Sequence, residues 1–255
     1  MTEPGRTEED VLASLEASVE DGSFVGGAGE FLTASGKLVS RLLATGQLSI
    51  AADPFGGGDA DLATDEHGYY LNVWRMFDRT PASMMPDYAI KVRRLLAAKI
   101  FKHIGEEVIF HHDVYILSGK NTSLGNGVFV NRGSTIDDRG PITVGDHTMI
   151  AAGAILTTHG HILNDFSKPL PFGGRTMAPI TIGSNSVIGF RSVVMPGITI
   201  GDRVIVASNS VVTSDIPDRW VVGGAPARKI KEIVPRDQPD TERPHTEKPD
   251  TEREA

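Results

Sequence analysis

The 255-residue chain contains no cysteine, which excludes disulfides, thiolate metal sites and a cysteine nucleophile together. It also lacks an excess of basic charge. Lys and Arg number 25 against 33 Asp and Glu, a formal net charge of −8 that disfavours coating nucleic acid or an anionic membrane. No basic stretch followed by an apolar one opens the N-terminus, and no apolar run approaches the roughly 18 residues of a membrane span. These absences leave the expectation of a cytoplasmic protein of small-molecule chemistry, with no nucleic-acid partner and no membrane span. Length and a 40% hydrophobic content suffice for a sizeable core.

Three unlike segments follow one another. Residues 1–103 read as an N-terminal helical region. Thr7 to Asp10 resembles a capping box ahead of a face carrying Leu12, Leu15 and Val19, and a second face runs through Phe31, Leu32, Leu38, Val39, Leu42 and Leu43. The run Asp53 to Gly58 breaks the pattern. Pro86 and Asp87 open a third helix with Ile90, Leu95, Leu96, Ile100 and Phe101 as its apolar residues. Its Lys91, Arg93, Arg94, Lys99 and Lys102 read as a solvated face rather than a phosphate or membrane contact. The aromatic and Met residues of 69–88 suit packing better than an acceptor pocket. At the other end, 235–255 repeats PDTER and has no large apolar residue, so it is expected to be a disordered tail.

Residues 104–234 repeat every six positions. Aliphatic residues recur at Ile182, Ile188, Val194, Ile200, Val206 and Val212, and the same spacing holds for Val144, Ile150, Leu156, for Leu124, Val130, Ile136, and for Ile104, Phe110, Ile116. Six matches no helical period; it is the period of a parallel β-helix in which each hexad forms one short side of a triangular coil. The residue after the first apolar position of each coil is Gly105, Gly125, Gly145, Gly183 or Gly201, as a tight corner that excludes a Cβ requires. Successive coils start 20, 20, 38 and 18 residues apart at those same five places, so every insertion falls after the third side. The long one, about 158–181, carries His159 and His161, which point to one side of an extended segment and bring a group that titrates near neutral pH. A long excursion from a regular solenoid points to function.

The stretches 128–146, 180–217 and 221–233, with the histidine loop between them, resemble the left-handed parallel β-helix acyltransferases of the galactoside, maltose and xenobiotic O-acetyltransferase group. The resemblance covers about residues 88–234. It implies a mainly β fold, a left-handed parallel β-helix of five or so triangular coils, and a homotrimer with each active site between neighbouring prisms. It further implies transfer of an acetyl group from acetyl-CoA to a hydroxyl of a sugar or other small alcohol, with no metal required. The family's base falls on His161, with His159 a neighbour or second contact. Asn131 and Asp138 match acceptor-binding positions, although Asn suits a corner for backbone reasons and Asp138 equally suits a turn cap. Phe190, Ser208, Thr213, Ser214, Arg228 and Lys231 match cofactor contacts, the Phe190 N–H as oxyanion donor and the last two as phosphate ligands or ordinary solubilising charges. Phe190 and Ser214 replace a smaller residue and a lysine often found there. A non-catalytic scaffold is the main alternative. A zinc hydratase of the γ-type carbonic anhydrase kind is disfavoured, because no two of the 8 histidines stand five residues apart.

Overall fold

The computed structural model describes residues 66–235. The expected helical faces at 7–19 and 31–43 and the expected disordered tail beyond Pro235 lie outside the described residues. Helix α1 (Glu66–Phe77) leads through a 3₁₀ turn, Pro81–Met84, into helix α2 (Pro86–Ile100). Pro86 sits in the first turn, where a missing N–H costs nothing, Asp87 lies at the positive end and Lys99 at the negative one. The chain then enters the repeat, whose short strands stack into three parallel sheets.

The register follows the six-residue pattern position by position. On the first face Ile104, Leu124, Val144, Ile182 and Ile200 lie over one another. On the second the column is Phe110, Val130, Ile150, Ile188, Val206 and finally Val222. On the third it is Ile116, Ile136, Leu156, Val194 and Val212. Every one of these is buried except Ile104, which is half-buried. Each such side chain contributes about 1.5–3 kcal/mol on burial, so the aliphatic columns supply most of the driving force for coiling.

The corner glycines serve a steric purpose different from the sharp backbone turn expected. None of the five has a positive φ; instead the next coil passes directly behind them. A Cβ on Gly183 would lie 2.6 Å from the Gly201 carbonyl carbon, and one on Gly105 would lie 2.5 Å from that of Gly125. Beside them a polar ladder ties coil to coil: Asn126 accepts from the Glu106 N–H at 2.8 Å, Asp146 from Asn126 at 2.7 Å and Asp202 from Ser184 at 2.6 Å. Buried hydroxyls close other corners, Thr148 donating to the Gly183 carbonyl and Ser186 to that of Gly201.

Helices α1 and α2 cover the first coil. Trp74 packs edge-on against Phe110 at 5.2 Å between ring centres and donates its Nε1–H to the Val114 carbonyl at 3.0 Å. Tyr70, Trp74 and Phe77 are therefore packing residues, while Met84 and Met85 remain exposed. The buried stripe of α2 is Ala89, Val92, Leu96 and Ile100, with Ile90 and Leu95 half-buried at its margins. Arg93 corrects the expected solvated face: it is 2% exposed, bonded to Asp78 and to the Ser83 carbonyl. Burial pushes the Asp78 carboxyl up in spite of Arg93, whose hydrogen bond and charge pull it down. Asp78 also accepts the Asp113 N–H at 3.0 Å, which fastens the helical cap to a corner of the first coil.

At the far end Ile216 bridges to Ile200, and Trp220–Gly224 adds a strand to the second face. The chain reverses there, and Ala227–Glu232 runs back antiparallel across the end of that sheet. Gly183→Ala is expected to force two coils apart and destabilise the protein by about 1–3 kcal/mol, read as a lowered thermal midpoint. Gly160→Ala, where the nearest atom is a Thr176 hydroxyl at 3.3 Å, should leave the midpoint within a few degrees of the parent.

Candidate active site

The third coil breaks after its third face. Thr158 roots the excursion: wholly buried, it accepts the Gly140 N–H at 2.7 Å and donates to the Asp137 carbonyl at 2.8 Å, while its own carbonyl accepts from Ala178 at 2.9 Å. From this anchor His159–His161 pairs antiparallel with Arg175–Met177, so the loop leaves the prism as a hairpin. Residues i and i+2 of a strand share a side, and the two imidazoles stand 6.3 Å apart between centres.

Their surroundings differ. His159 is half-buried, with its Nδ1 2.9 Å from Asp137 Oδ2, 3.0 Å from an Arg139 nitrogen and 3.2 Å from Thr157 Oγ1. Arg139 also bonds both Asp137 oxygens, at 2.8 and 2.6 Å. Burial lowers the His159 pKa; the Asp137 charge opposes this, and the charges of Arg139, Arg175 and His161 reinforce it. His161 is exposed, and its imidazole makes no hydrogen bond among the described residues. Its imidazole is the freer of the two; that of His159 is held. Asp137 and Arg139 belong to this cluster and were not legible in the sequence, because only the stacking of Thr157 over Asp137 brings them beside His159.

Asn131 lies half-buried on the edge between the second and third faces, where its Oδ1 accepts the Arg132 N–H at 2.8 Å. Phe190 and Ser208 occupy that same edge on later coils, and Phe190 is 41% exposed. The Phe190 N–H donates to no described backbone group, while its carbonyl accepts from Asn209 at 2.8 Å. Thr213 and Ser214 lie on the edge after the third face. Ser214 and Arg228 line one cavity of about 120 Å³ together with Val222 and Lys229, and Lys231 is exposed on the returning strand. Among the described residues no three His, Asp or Glu side chains gather as a ligand set, and no helix is long and apolar enough to cross a membrane.

Asp138 has the turn-capping geometry that the sequence offered as the alternative to acceptor contact. Its side chain has no exposed area, and its two oxygens accept the N–H groups of Ser118 at 3.0 Å and Asn121 at 3.1 Å. It clamps the insertion of one coil to the one before. Asp138→Ala leaves two buried donors unmet, so the expected result is a loss of about 2–4 kcal/mol of stability in urea titration, larger than any change in acceptor KM.

Comparison with known proteins agrees with this architecture. Residues 179–214 match the bacterial transferase hexapeptide (six repeats) family model. The galactoside O-acetyltransferase of Escherichia coli is 36% identical over 150 residues, spanning 58% of this chain and 72% of its own length. The solved maltose O-acetyltransferase of Clostridium difficile is 30% identical with a TM-score of 0.60, the match covering 69% of this chain and 90% of that one. A galactoside acetyltransferase solved in complex with coenzyme A is 31% identical with a TM-score of 0.58, over 67% of this chain and 82% of its own. With its stacked hexads, its histidine-bearing hairpin and relatives of this closeness, the chain belongs to the left-handed β-helix O-acetyltransferases that include the galactoside and maltose enzymes, and is a CoA-dependent acetyltransferase of that family.

Proposed function

We propose that the protein transfers the acetyl group of acetyl-CoA to a hydroxyl of a sugar or another small-molecule alcohol, with His161 as general base, at a site shared between two copies of the chain in a trimer. The observation that carries this reading is the division of the matching residues between two edges of the prism. Asn131, Phe190 and Ser208 follow the second face, whereas the histidine hairpin leaves after the third. A hexad of extended chain spans about 15–20 Å, so one face separates the two groups. A neighbouring prism laid edge to edge would bring the hairpin of one copy to the donor edge of the next. The hairpin suits such a contact, since Leu163, Phe166, Leu170, Phe172 and Met177 are all more than half exposed on it.

In this arrangement His161 takes the proton of the acceptor hydroxyl as its oxygen attacks the thioester carbonyl carbon. Charge gathers on the carbonyl oxygen, where the unengaged Phe190 N–H is a suitable donor. Collapse of the tetrahedral intermediate breaks the C–S bond, the imidazolium returns its proton to the sulfur, and an acetyl ester and free CoA leave. Ser208 and Thr213 border the path of the donor arm, while Ser214, Arg228 and Lys231 offer a hydroxyl and two cations to the CoA phosphates. The half-buried His159 beside the base fits a supporting part on the acceptor side, with Asn131 across the cleft.

His161→Ala is expected to lower kcat by about 10²- to 10⁴-fold while calorimetric CoA binding is retained. His159→Ala should cost less, at about tenfold. The reverse order of losses would move the base to His159, and absence of CoA binding by the parent protein would favour a scaffold that does no chemistry.

A further inference from the structure

The cluster on the histidine edge contains a conflict that only proton placement resolves. A guanidinium has donors and no acceptor, so the 3.0 Å contact between Arg139 and His159 Nδ1 is a hydrogen bond only when Nδ1 carries the lone pair. The 2.9 Å approach of Asp137 Oδ2 to the same atom is a hydrogen bond only when Nδ1 carries the proton. Both cannot hold at once. In the first arrangement Nε2 bears the hydrogen and can only donate; in the second Nε2 bears the lone pair and is a base.

Three features favour the first. The Arg139 nitrogen that lies 3.0 Å from Nδ1 is the same one that lies 2.8 and 2.6 Å from the two Asp137 oxygens; of its two hydrogens, one can be shared between those oxygens while the other is directed at Nδ1. A proton on Nδ1 would face a guanidinium N–H at 3.0 Å, donor against donor. The Thr157 hydroxyl, 3.2 Å away and in register with Asp137, can rotate to donate to a lone pair on Nδ1. The cluster is also well enclosed: the Asp137, Arg139 and His159 side chains are 15%, 19% and 22% exposed, so the contacts are sheltered from bulk water.

We propose that Arg139 is a positioning residue that selects the tautomer of His159, making Nε2 of that ring a hydrogen-bond donor toward acceptor oxygens and leaving His161 as the single base. This rests on the reading of His161 given above and divides the labour within the pair. The charged and titratable groups facing His159 are Asp137, Arg139, Arg175 and His161; burial lowers the pKa of the ring first, and the last three add to that lowering against the opposing charge of Asp137.

The tautomer can be read without any turnover, from the ¹³Cδ2 and ¹⁵N shifts of His159 in protein labelled at histidine. The parent should show Nε2–H, Arg139→Lys should keep it, and Arg139→Met should move the proton to Nδ1 on Asp137. An Nδ1–H ring in the parent, or an unchanged Nε2–H ring in Arg139→Met, would overturn the proposal. Kinetics supply a second arm: once Arg139 is lost His159 becomes a base, so adding Arg139→Met to His161→Ala should raise the residual kcat by about tenfold. A further fall in the double variant counts against the proposal. If instead His161→Ala alone leaves kcat intact, it is the assignment of His161 that fails, whatever tautomer the spectra report.

Discussion

Aliphatic side chains stacked at equal depth along three inner columns, with the backbone of each coil hydrogen-bonded to the next, are the constraint on which everything else depends. A parallel strand pair fixes register because a slip by one residue turns the buried side outward. Here that rule is applied around three faces at once, so Ile136 cannot move over Leu156 without also displacing Val130 over Ile150 and Leu124 over Val144. The corners tolerate no slip either, since the glycines that let the coils approach have the backbone of the next coil behind them. A column held in this way is a rigid support, and rigid support is what fixes the direction of a loop rooted in it.

The excursion in the third coil exploits that rigidity. An insertion placed on any flat side would have broken a ladder; placed after the third face, it leaves the strands on both sides paired, Leu156 with Val194 and Val144 with Ile182. Thr158, buried at the root, converts the stiffness of the column into a fixed direction for the hairpin through its bonds to Gly140, Asp137 and Ala178. The histidines stand only one to three residues beyond that anchor. Their chemistry then differs through environment alone: Asp137, Arg139 and Thr157 surround one ring, while the other faces outward.

Much of this was legible in the sequence because the hexad pattern is periodic, and periodicity encodes contacts between residues far apart in the chain. The column partners of Ile182 and Ile200 and the edge from which the hairpin leaves follow from spacing. What was hidden depended on contacts that spacing does not carry. Arg93 looked like one of five basic residues on a wet helix face, and only the position of Asp78 shows it to be buried. Asp137 and Asp138 are adjacent carboxylates on opposite sides of a strand end; one faces a histidine and the other caps a loop, a difference set by side-chain direction. The corner glycines were found by position but for a different reason, the obstacle being the neighbouring coil.

The central claim is that the hairpin imidazole of one copy serves the donor edge of another, and subunit complementation tests it most directly. His161→Ala chains would be mixed with chains carrying Ser208→Trp, which blocks the donor edge but keeps the hairpin, and the two dissociated and reassembled together. Since each defect then lies on a different copy, the account predicts that mixed assemblies recover a substantial fraction of parental turnover although neither variant alone is active. Mixed assemblies as inactive as the separate variants, despite demonstrated subunit exchange, would contradict it.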